Sequence, residues 1–199
     1  MEIIIHRINL IKDLKKINYK YGVEVDVRSK DSNLILNHDP FSNNSDLLED
    51  YLNEYKHGTI IFNIKEAGIE DNVIKLAMKN NIQSFFLLDV EMPYLFTTKK
   101  NNKKNIAIRF SEYEPIELAK NYINLVEWIW IDTVTKLPVN EENKNLISKF
   151  KSCLVCPERW GRKEDINIYI KNFKKINFIP DAVMTNLNCV ELWENNFKN

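Results

Sequence analysis

Short apolar runs alternate along the chain with segments of helical spacing or with turns. Eight of these runs predict β-strands, because they are short and rich in Ile, Val, Phe and Leu. The predicted strands lie at residues 2–7, 22–28, 59–65, 84–90, 106–111, 126–134, 153–158 and 181–186. They are mostly apolar throughout, as is typical of parallel strands that are covered on both faces by helices.

The segments between the strands predict helices or helical turns. These lie at residues 9–18, 45–58, 67–80, 93–96, 115–122, 141–151, 166–173 and 189–197. Ser45 or Asp46 is the expected cap of the second helix and Gly58 its end. Strict alternation of eight strand–helix units predicts an α/β fold, a compact (β/α)8 TIM barrel of parallel strands formed by residues 1–199 as a single domain. A doubly wound open sheet is the alternative, and several helices must be brief.

The second predicted strand has an unusual polar face. Valines alternate there with Glu24, Asp26 and Arg28, so the two acids and the arginine share one side of the strand. Two carboxylates on one face can hold a cation between them, whereas the valines can pack under a covering layer. His38 follows on the loop that leaves the strand, where catalytic groups are common.

The other predicted strands also end in polar side chains, whereas their beginnings are mostly apolar. In a (β/α)8 barrel the carboxyl ends of the strands carry the chemistry. The ionisable or polar residues at these ends are His6, Arg7, Asn63, Lys65, Asp89, Arg109, Asp132, Glu158, Thr185 and Asn186. This asymmetry favours an active site at that end. Trp160, just beyond the seventh strand, is a candidate contact for a sugar or headgroup.

Composition excludes several classes of protein. The 28 basic and 28 acidic side chains cancel, which gives no support for binding to nucleic acid or to a charged membrane surface. No apolar run approaches membrane-spanning length, and the amino-terminal sequence does not have the shape of a signal peptide. The cysteines Cys153, Cys156 and Cys189 are too few for a disulfide framework, and Cys153 and Cys156 lie in an apolar run. We therefore expect buried thiols and a cytoplasmic location.

Four short motifs together resemble the glycerophosphodiester phosphodiesterase family of the phospholipase-C-like phosphodiesterases. They are His6-Arg7 on the first strand, Glu24-x-Asp26 on the second, His38-Asp39 after it and Lys65 on the third, all in the first third of the chain. The resemblance implies a TIM barrel, catalysis by His6 and His38, and substrate contacts from Arg7 and Lys65. It also implies a divalent cation, Mg²⁺ or Ca²⁺, held by Glu24, Asp26 and Asn63.

Two positions depart from the pattern of that family. Ile8 stands where the first motif usually continues with glycine, and Asn63 stands where an acidic metal ligand is usual. An amide oxygen can bind Mg²⁺ or Ca²⁺ but supplies no charge, so we expect a lower affinity for the metal. Asp89 or Glu158 is a possible compensating acid.

The predicted reaction is metal-assisted cleavage of a small-molecule phosphodiester that bears a neighbouring hydroxyl group, with histidine acid/base catalysis. Two alternatives stay open. One is a catalytically impaired barrel that binds a phosphosugar or headgroup. The other is a metal-independent lyase of the phospholipase C kind. The alcohols on either side of the phosphate and the oligomeric state are not predicted.

Overall fold

A computed structural model describes residues 1–41, 44–101 and 104–197, and it describes the backbone alone at residues 97–101. The chain forms two compact units. Residues 4–101 form one, and residues 1–3 with those after 101 form the other. That residues 1–199 make a single domain stays a prediction.

The unit of residues 4–101 combines a parallel sheet with short helices. Its strands are β1 (Glu2–Ile5, which begins in the other unit), β2 (Gly22–Lys30), β3 (Asn33–Leu36), β4 (Asp46–Leu47), β5 (Ile60–Ile64) and β6 (Phe85–Leu88). Its helices are α1 (Ile11–Leu14), α2 (Leu48–Glu54), α3 (Glu70–Lys79) and α4 (Met92–Asn101). β2 pairs in parallel with β1 and β5, and β5 pairs in parallel with β6. The valines of β2 are fully buried, as expected for its covered face.

An antiparallel hairpin extends β2 and was not predicted. Val27 to Lys30 pair with β3, which pairs in turn with β4. Asp31 and Ser32 form the two-residue turn, both with positive φ, 48° and 68°. Paired positive φ values match the twist of a hairpin, but they are usual for glycine and asparagine rather than for Asp-Ser. The residues of this turn are therefore a weak signal for a hairpin.

The predicted cap of α2 is wrong. The helix begins at Leu48, and neither Ser45 nor Asp46 caps it, because Asp46 belongs to β4. The Asp46 carboxylate instead accepts a hydrogen bond of 2.6 Å from the Ile11 amide, which ties α1 to this unit. Likewise, α4 is longer than the predicted turn at 93–96 and extends to Asn101, after which residues 102 and 103 lie outside the described residues.

The other unit repeats the strand–helix alternation. Its strands are β7 (Ala107–Phe110), β8 (Trp128–Ile131), β9 (Lys151–Val155) and β10 (Ala182–Thr185), paired in parallel in that order. Its helices are α5 (Ile116–Ala119), α6 (Lys144–Ile147), α7 (Asp165–Ile176) and α8 (Val190–Phe197). Glu2 N–H donates to Asp181 O at 2.7 Å. Lys151, predicted as the end of a helix, opens β9 instead. The α/β class, the eight parallel strands and the brevity of several helices are confirmed.

The apolar faces of these elements form the core. Strands β5, β6 and β8 are buried along their whole length. All three cysteines are buried and free, as predicted. Within the described residues, no helix is both long and apolar enough to pass through a membrane.

Candidate active site

Two acids lie buried side by side on β2. Glu24 is 2% exposed and Asp26 is fully buried. The register pairs Asp26 with Asn63 of β5, and paired residues of parallel strands place their side chains on the same face. Glu24 lies two residues before Asp26 and therefore shares that face. A hydrogen bond of 2.9 Å from Asn63 Nδ2 to Glu24 Oε1 joins the two strands through these side chains.

The loop after β1 is fastened to Glu24. Arg7 N–H donates to Glu24 Oε2 at 2.8 Å, and Ile8 N–H donates to the Glu24 carbonyl at 2.9 Å. Arg7 adopts a positive φ of 55°, which a non-glycine residue seldom does. The Ile8 carbonyl accepts a hydrogen bond of 2.7 Å from the Tyr51 hydroxyl of α2. These bonds hold the His6-Arg7 segment against the carboxylate.

The proton affinity of Glu24 is altered by this environment. Burial, followed by the negative charge of Asp26, raises the pKa of Glu24 to about 7. The hydrogen bonds from Asn63 and Arg7 and the charge of Lys65 act in the opposite direction. Glu24 therefore changes charge near neutral pH, where an exposed glutamate stays ionised.

Asp26 gathers both cations of the site and an asparagine. Lys65 Nζ lies 3.1 Å from Oδ1, and Arg7 Nε lies 3.4 Å from Oδ2. Asn9 Nδ2 donates to Oδ2 at 2.9 Å, while Asn9 Oδ1 accepts from the Asp26 amide at 2.8 Å. Sequence reasoning missed Asn9, because it carries no charge and its place depends on how the loop after β1 folds back on β2.

The donor set fits a divalent cation through carboxylate and amide oxygens. Among the described residues, no group of three or more His, Cys, Asp and Glu side chains is arranged to hold a metal ion, so the two acids would need other oxygen ligands such as the Asn63 amide. Asp26 Oδ1 and Asn63 Oδ1 are buried and accept no hydrogen bond. Lys65 lies close to the first of these oxygens but lacks hydrogen-bond alignment. Buried oxygens without donors are what a hard cation binds.

The two predicted catalytic histidines follow strands of this unit. His6 comes directly after β1 and is partly buried, and His38 lies just beyond β3. His38 Nδ1 lies 2.8 Å from Asp39 Oδ1, and this hydrogen bond lowers the pKa of Asp39. With Nδ1 donating to a carboxylate, the Nε2 of neutral His38 is left as a proton acceptor.

Arg28 connects His38 to the end of β5. Its NH2 donates to the His38 carbonyl at 3.0 Å, and its NH1 donates to the Lys65 carbonyl at 3.3 Å. Lys65 N–H donates in turn to the Val27 carbonyl at 3.1 Å. Arg28 was predicted to lie on the polar face of its strand, but its bridging role was not predicted.

Two cavities open near the hairpin. One of about 380 Å³ is lined partly by Arg28, Lys30, Asp39 and Glu66, and it therefore reaches the neighbour of His38. The other, of about 600 Å³, lies between the hairpin and α3 and includes none of the predicted site residues. The smaller cavity lies next to the candidate active site, because Arg28 and Asp39 in its lining both contact His38.

Trp160, the remaining predicted site residue, belongs to the other unit. It is 42% exposed, and its Nε1 donates to Asp132 Oδ1 at 3.0 Å. Arg109 NH2 donates to Asp132 Oδ2 at 2.8 Å. In the same unit, Glu158 Oε1 accepts hydrogen bonds from Thr185 Oγ1 and Asn186 N, at 2.5 and 3.0 Å.

Comparison of the fold with solved structures gives close matches at low sequence identity. A glycerophosphoryl diester phosphodiesterase from Parabacteroides distasonis matches with a TM-score of 0.70 at 13% identity, over 100% of this chain and 87% of that chain. An Oleispira antarctica phosphodiesterase in complex with the product sn-glycerol-3-phosphate matches with a TM-score of 0.68 at 14% identity, over 98% of this chain and 97% of that one.

A glycerophosphodiester phosphodiesterase from Agrobacterium tumefaciens matches with a TM-score of 0.62 at 12% identity, over 92% of this chain and 95% of that one. No family model and no curated protein sequence matches the chain. Identities this low bear on the fold alone. The resemblance seen in the four motifs is confirmed at that level, and this chain has the (β/α)8 TIM-barrel fold of the glycerophosphodiester phosphodiesterases.

Proposed function

We propose that this protein is a phosphodiester hydrolase of the glycerophosphodiester phosphodiesterase kind, acting on a small-molecule diester that bears a hydroxyl group next to the phosphate. One observation carries the proposal. Glu24 and Asp26 are buried together against Arg7, Lys65 and Asn63. One buried oxygen of Asp26 and one of Asn63 accept no hydrogen bond. Burying two neighbouring carboxylates costs stability even when they are paired, and such costs are typical of functional sites.

Arg7 and Lys65 bind the phosphate in this proposal. Both are cations held at the rim of the acid pair, Arg7 with a half-exposed side chain and Lys65 with its ammonium group on Asp26. Guanidinium and ammonium groups stabilise the negative oxygens of a phosphodiester and the further charge that develops as the neighbouring hydroxyl attacks.

His6 and His38 serve as the acid/base pair. Cleavage requires one group to take the proton of the attacking hydroxyl and another to protonate the leaving alkoxide, and imidazole can do either near neutral pH. Asp39 orients His38 through Nδ1, as a carboxylate commonly orients a catalytic imidazole. Attack by the neighbouring hydroxyl gives a cyclic phosphate, which water then opens.

Glu24, Asp26 and Asn63 are the proposed ligands of a divalent cation, Mg²⁺ or Ca²⁺. When bound, such an ion supplies positive charge to a phosphoryl oxygen and lowers the pKa of a hydroxyl that it contacts. Asn9 positions Asp26, and Arg7 N–H positions Glu24. Trp160 is the proposed substrate contact in the other unit, where its partly exposed ring can cover an alcohol or sugar.

The similarity of fold supports the proposal, because one matching structure, the Oleispira phosphodiesterase, contains sn-glycerol-3-phosphate as product. We further propose that the protein works in the cytoplasm, where its three free, buried thiols stay reduced.

A barrel that only binds a phosphosugar or headgroup is the second candidate. It is favoured by Asn63, which donates to Glu24 where a third acid would add charge. A metal-independent lyase is the third candidate, and the ion pairs of Arg7 and Lys65 with Asp26 favour it, since they already neutralise that acid.

Phosphorus NMR of glycerophosphodiesters, with Mg²⁺, Mn²⁺, Ca²⁺ or EDTA, separates these candidates. The proposed hydrolase converts the diester to a phosphomonoester only with metal. A lyase accumulates cyclic phosphate in EDTA. No turnover with any metal and any of a panel of diesters, including bis-(p-nitrophenyl) phosphate, would reject catalysis in favour of the binding barrel.

A further inference from the structure

The oxygen Asp26 Oδ1 is approached by a cation of the chain itself. It is buried and accepts no hydrogen bond, yet Lys65 Nζ lies 3.1 Å away. Lys65 is held at this place by its backbone amide, which donates to the Val27 carbonyl of β2, and by Arg28, which donates to its carbonyl. A divalent cation that used Asp26 Oδ1 would therefore lie very close to an ammonium group.

The charges around the acid pair are balanced without any added ion. Glu24 and Asp26 carry two negative charges when ionised, and Arg7 and Lys65 carry two positive charges. Asn63 contributes none, and its Nδ2 donates to Glu24 Oε1. A buried site with no net negative charge attracts a divalent cation weakly, because the attraction of the acids is offset by like-charge repulsion from the bases.

Asn63 nevertheless offers an oxygen of its own. Because its amide nitrogen faces Glu24, its Oδ1 is turned away from that carboxylate, and this atom is buried without a donor. The chain thus supplies oxygen ligands for a divalent cation but lacks the additional negative charge that would let the cation displace Lys65.

We propose that Lys65 competes with the divalent cation for Asp26 Oδ1, so that metal binding is weak and turns the Lys65 ammonium group away from Asp26 toward the substrate phosphate. This inference rests on the metal site of the proposed function. Under this inference the neutral Asn63 keeps the affinity for the divalent cation low. An acid at position 63 would add negative charge and raise that affinity.

Titration calorimetry with Mn²⁺, without substrate, tests the competition. Lys65→Gln removes the competing charge and keeps a chain of similar length, so Mn²⁺ is expected to bind about tenfold tighter or better than to the wild type. Asn63→Glu adds a negative charge and is expected to tighten binding by a similar factor. Lys75→Gln, an exposed lysine of α3, is the matched control and leaves the affinity unchanged.

Equal or weaker Mn²⁺ binding by Lys65→Gln would overturn the inference, as would wild-type binding that Asn63→Glu does not tighten. Thermal unfolding checks that each variant is folded, and Lys65→Met replaces Lys65→Gln if the latter is not. Under the inference, Mn²⁺ also raises the unfolding temperature of Asn63→Glu more than that of the wild type.

The outcome is separable from that of the proposed function. Tighter binding by both variants in a protein that cleaves no diester would uphold the competition and reject the hydrolase. Metal-dependent turnover by the wild type, together with an unchanged Mn²⁺ affinity in Lys65→Gln, would uphold the hydrolase and reject the competition.

Discussion

Asp26 and Asp132 are both buried acids at the carboxyl end of a parallel strand, one in each unit, but their oxygens are used differently. Asp132 accepts hydrogen bonds at both oxygens, at Oδ1 from Thr133 N and Trp160 Nε1 and at Oδ2 from Arg109. Asp26 has one oxygen that accepts none. Asp26 therefore has a buried oxygen that accepts no hydrogen bond and is available to a ligand, whereas both oxygens of Asp132 already accept hydrogen bonds from the chain.

If the chemistry lies in the unit of residues 4–101, the largest effect on catalysis is expected from substitution of its histidines His6 and His38. His6→Ala and His38→Ala should each lower kcat for a phosphodiester by about 100- to 10,000-fold, because each removes a proton-transfer group. Steady-state kinetics at saturating substrate measures this effect.

His57 is the matched control for these two variants. It is the third histidine of the chain, and its Nε2 lies 3.1 Å from the Ile17 carbonyl. His57→Gln should keep kcat within about threefold of the wild type, because its imidazole has no proposed part in proton transfer. Full activity in His6→Ala or His38→Ala would show that the chemistry lies elsewhere.

Glu24 should make stability depend on pH. Its pKa is raised from an ordinary 4.5 to about 7 in the folded chain, so the unfolded chain loses the proton first. This contribution to the free energy of unfolding is fully present below pH 4.5 and is lost as pH rises to 7, by on the order of 3 kcal/mol. Urea unfolding in EDTA across this range measures it.

Glu24→Gln should remove this part of the pH dependence and leave the variant more stable than the wild type at pH 8. The introduced amide can donate to Asn63 Oδ1 once the Asn63 amide turns over, because that oxygen has no donor at present. A wild-type protein that gains stability between pH 5 and 8 relative to Glu24→Gln would contradict the buried, proton-retaining Glu24.

Asp132→Asn should have the opposite effect on stability. It replaces an acceptor of three hydrogen bonds, one of them from the Arg109 guanidinium, and lowers the free energy of unfolding by about 2 kcal/mol. Activity per folded molecule should change little. A loss of activity comparable to that of His38→Ala, in a folded variant, would mean that Asp132 belongs to the chemistry.

The smallest expected effect is at Trp160. Trp160→Ala should raise KM by about three- to tenfold while kcat stays near that of the wild type, because the ring contributes contact area rather than proton transfer. Trp160→Phe keeps a smaller aromatic ring and loses the hydrogen bond to Asp132, so its KM should lie between those of Trp160→Ala and the wild type. An unchanged KM in Trp160→Ala would remove this residue from the proposed substrate contacts.

Much of the fold could be predicted because the strands are short, apolar and regularly spaced. The hairpin of β2 and β3 could not, since its turn at Asp31 and Ser32 lacks glycine and the apolar run of β3 is only three residues long, from Leu34 to Leu36. The predicted start of α2 was also wrong, because the Asp46 carboxylate accepts a hydrogen bond from the Ile11 amide and does not cap the helix.

The candidate site was predictable where charge and strand alternation coincide, as at Glu24 and Asp26. Asn9 and the bridging role of Arg28 were not, because both depend on side chains meeting backbone atoms that are distant in sequence. The difference between Asp26 and Asp132 was also invisible in sequence, since both are acids at strand ends and only their partners distinguish them.

The most direct test of the central claim is the rate of diester cleavage, followed by phosphorus NMR, for wild type, Glu24→Gln and Asp132→Asn under the same metal. The prediction is turnover by the wild type, none detectable in the folded Glu24→Gln variant, and a rate within about threefold of the wild type in Asp132→Asn. Undiminished turnover in Glu24→Gln, or loss confined to Asp132→Asn, would contradict the assignment of the chemistry to the acid pair on β2.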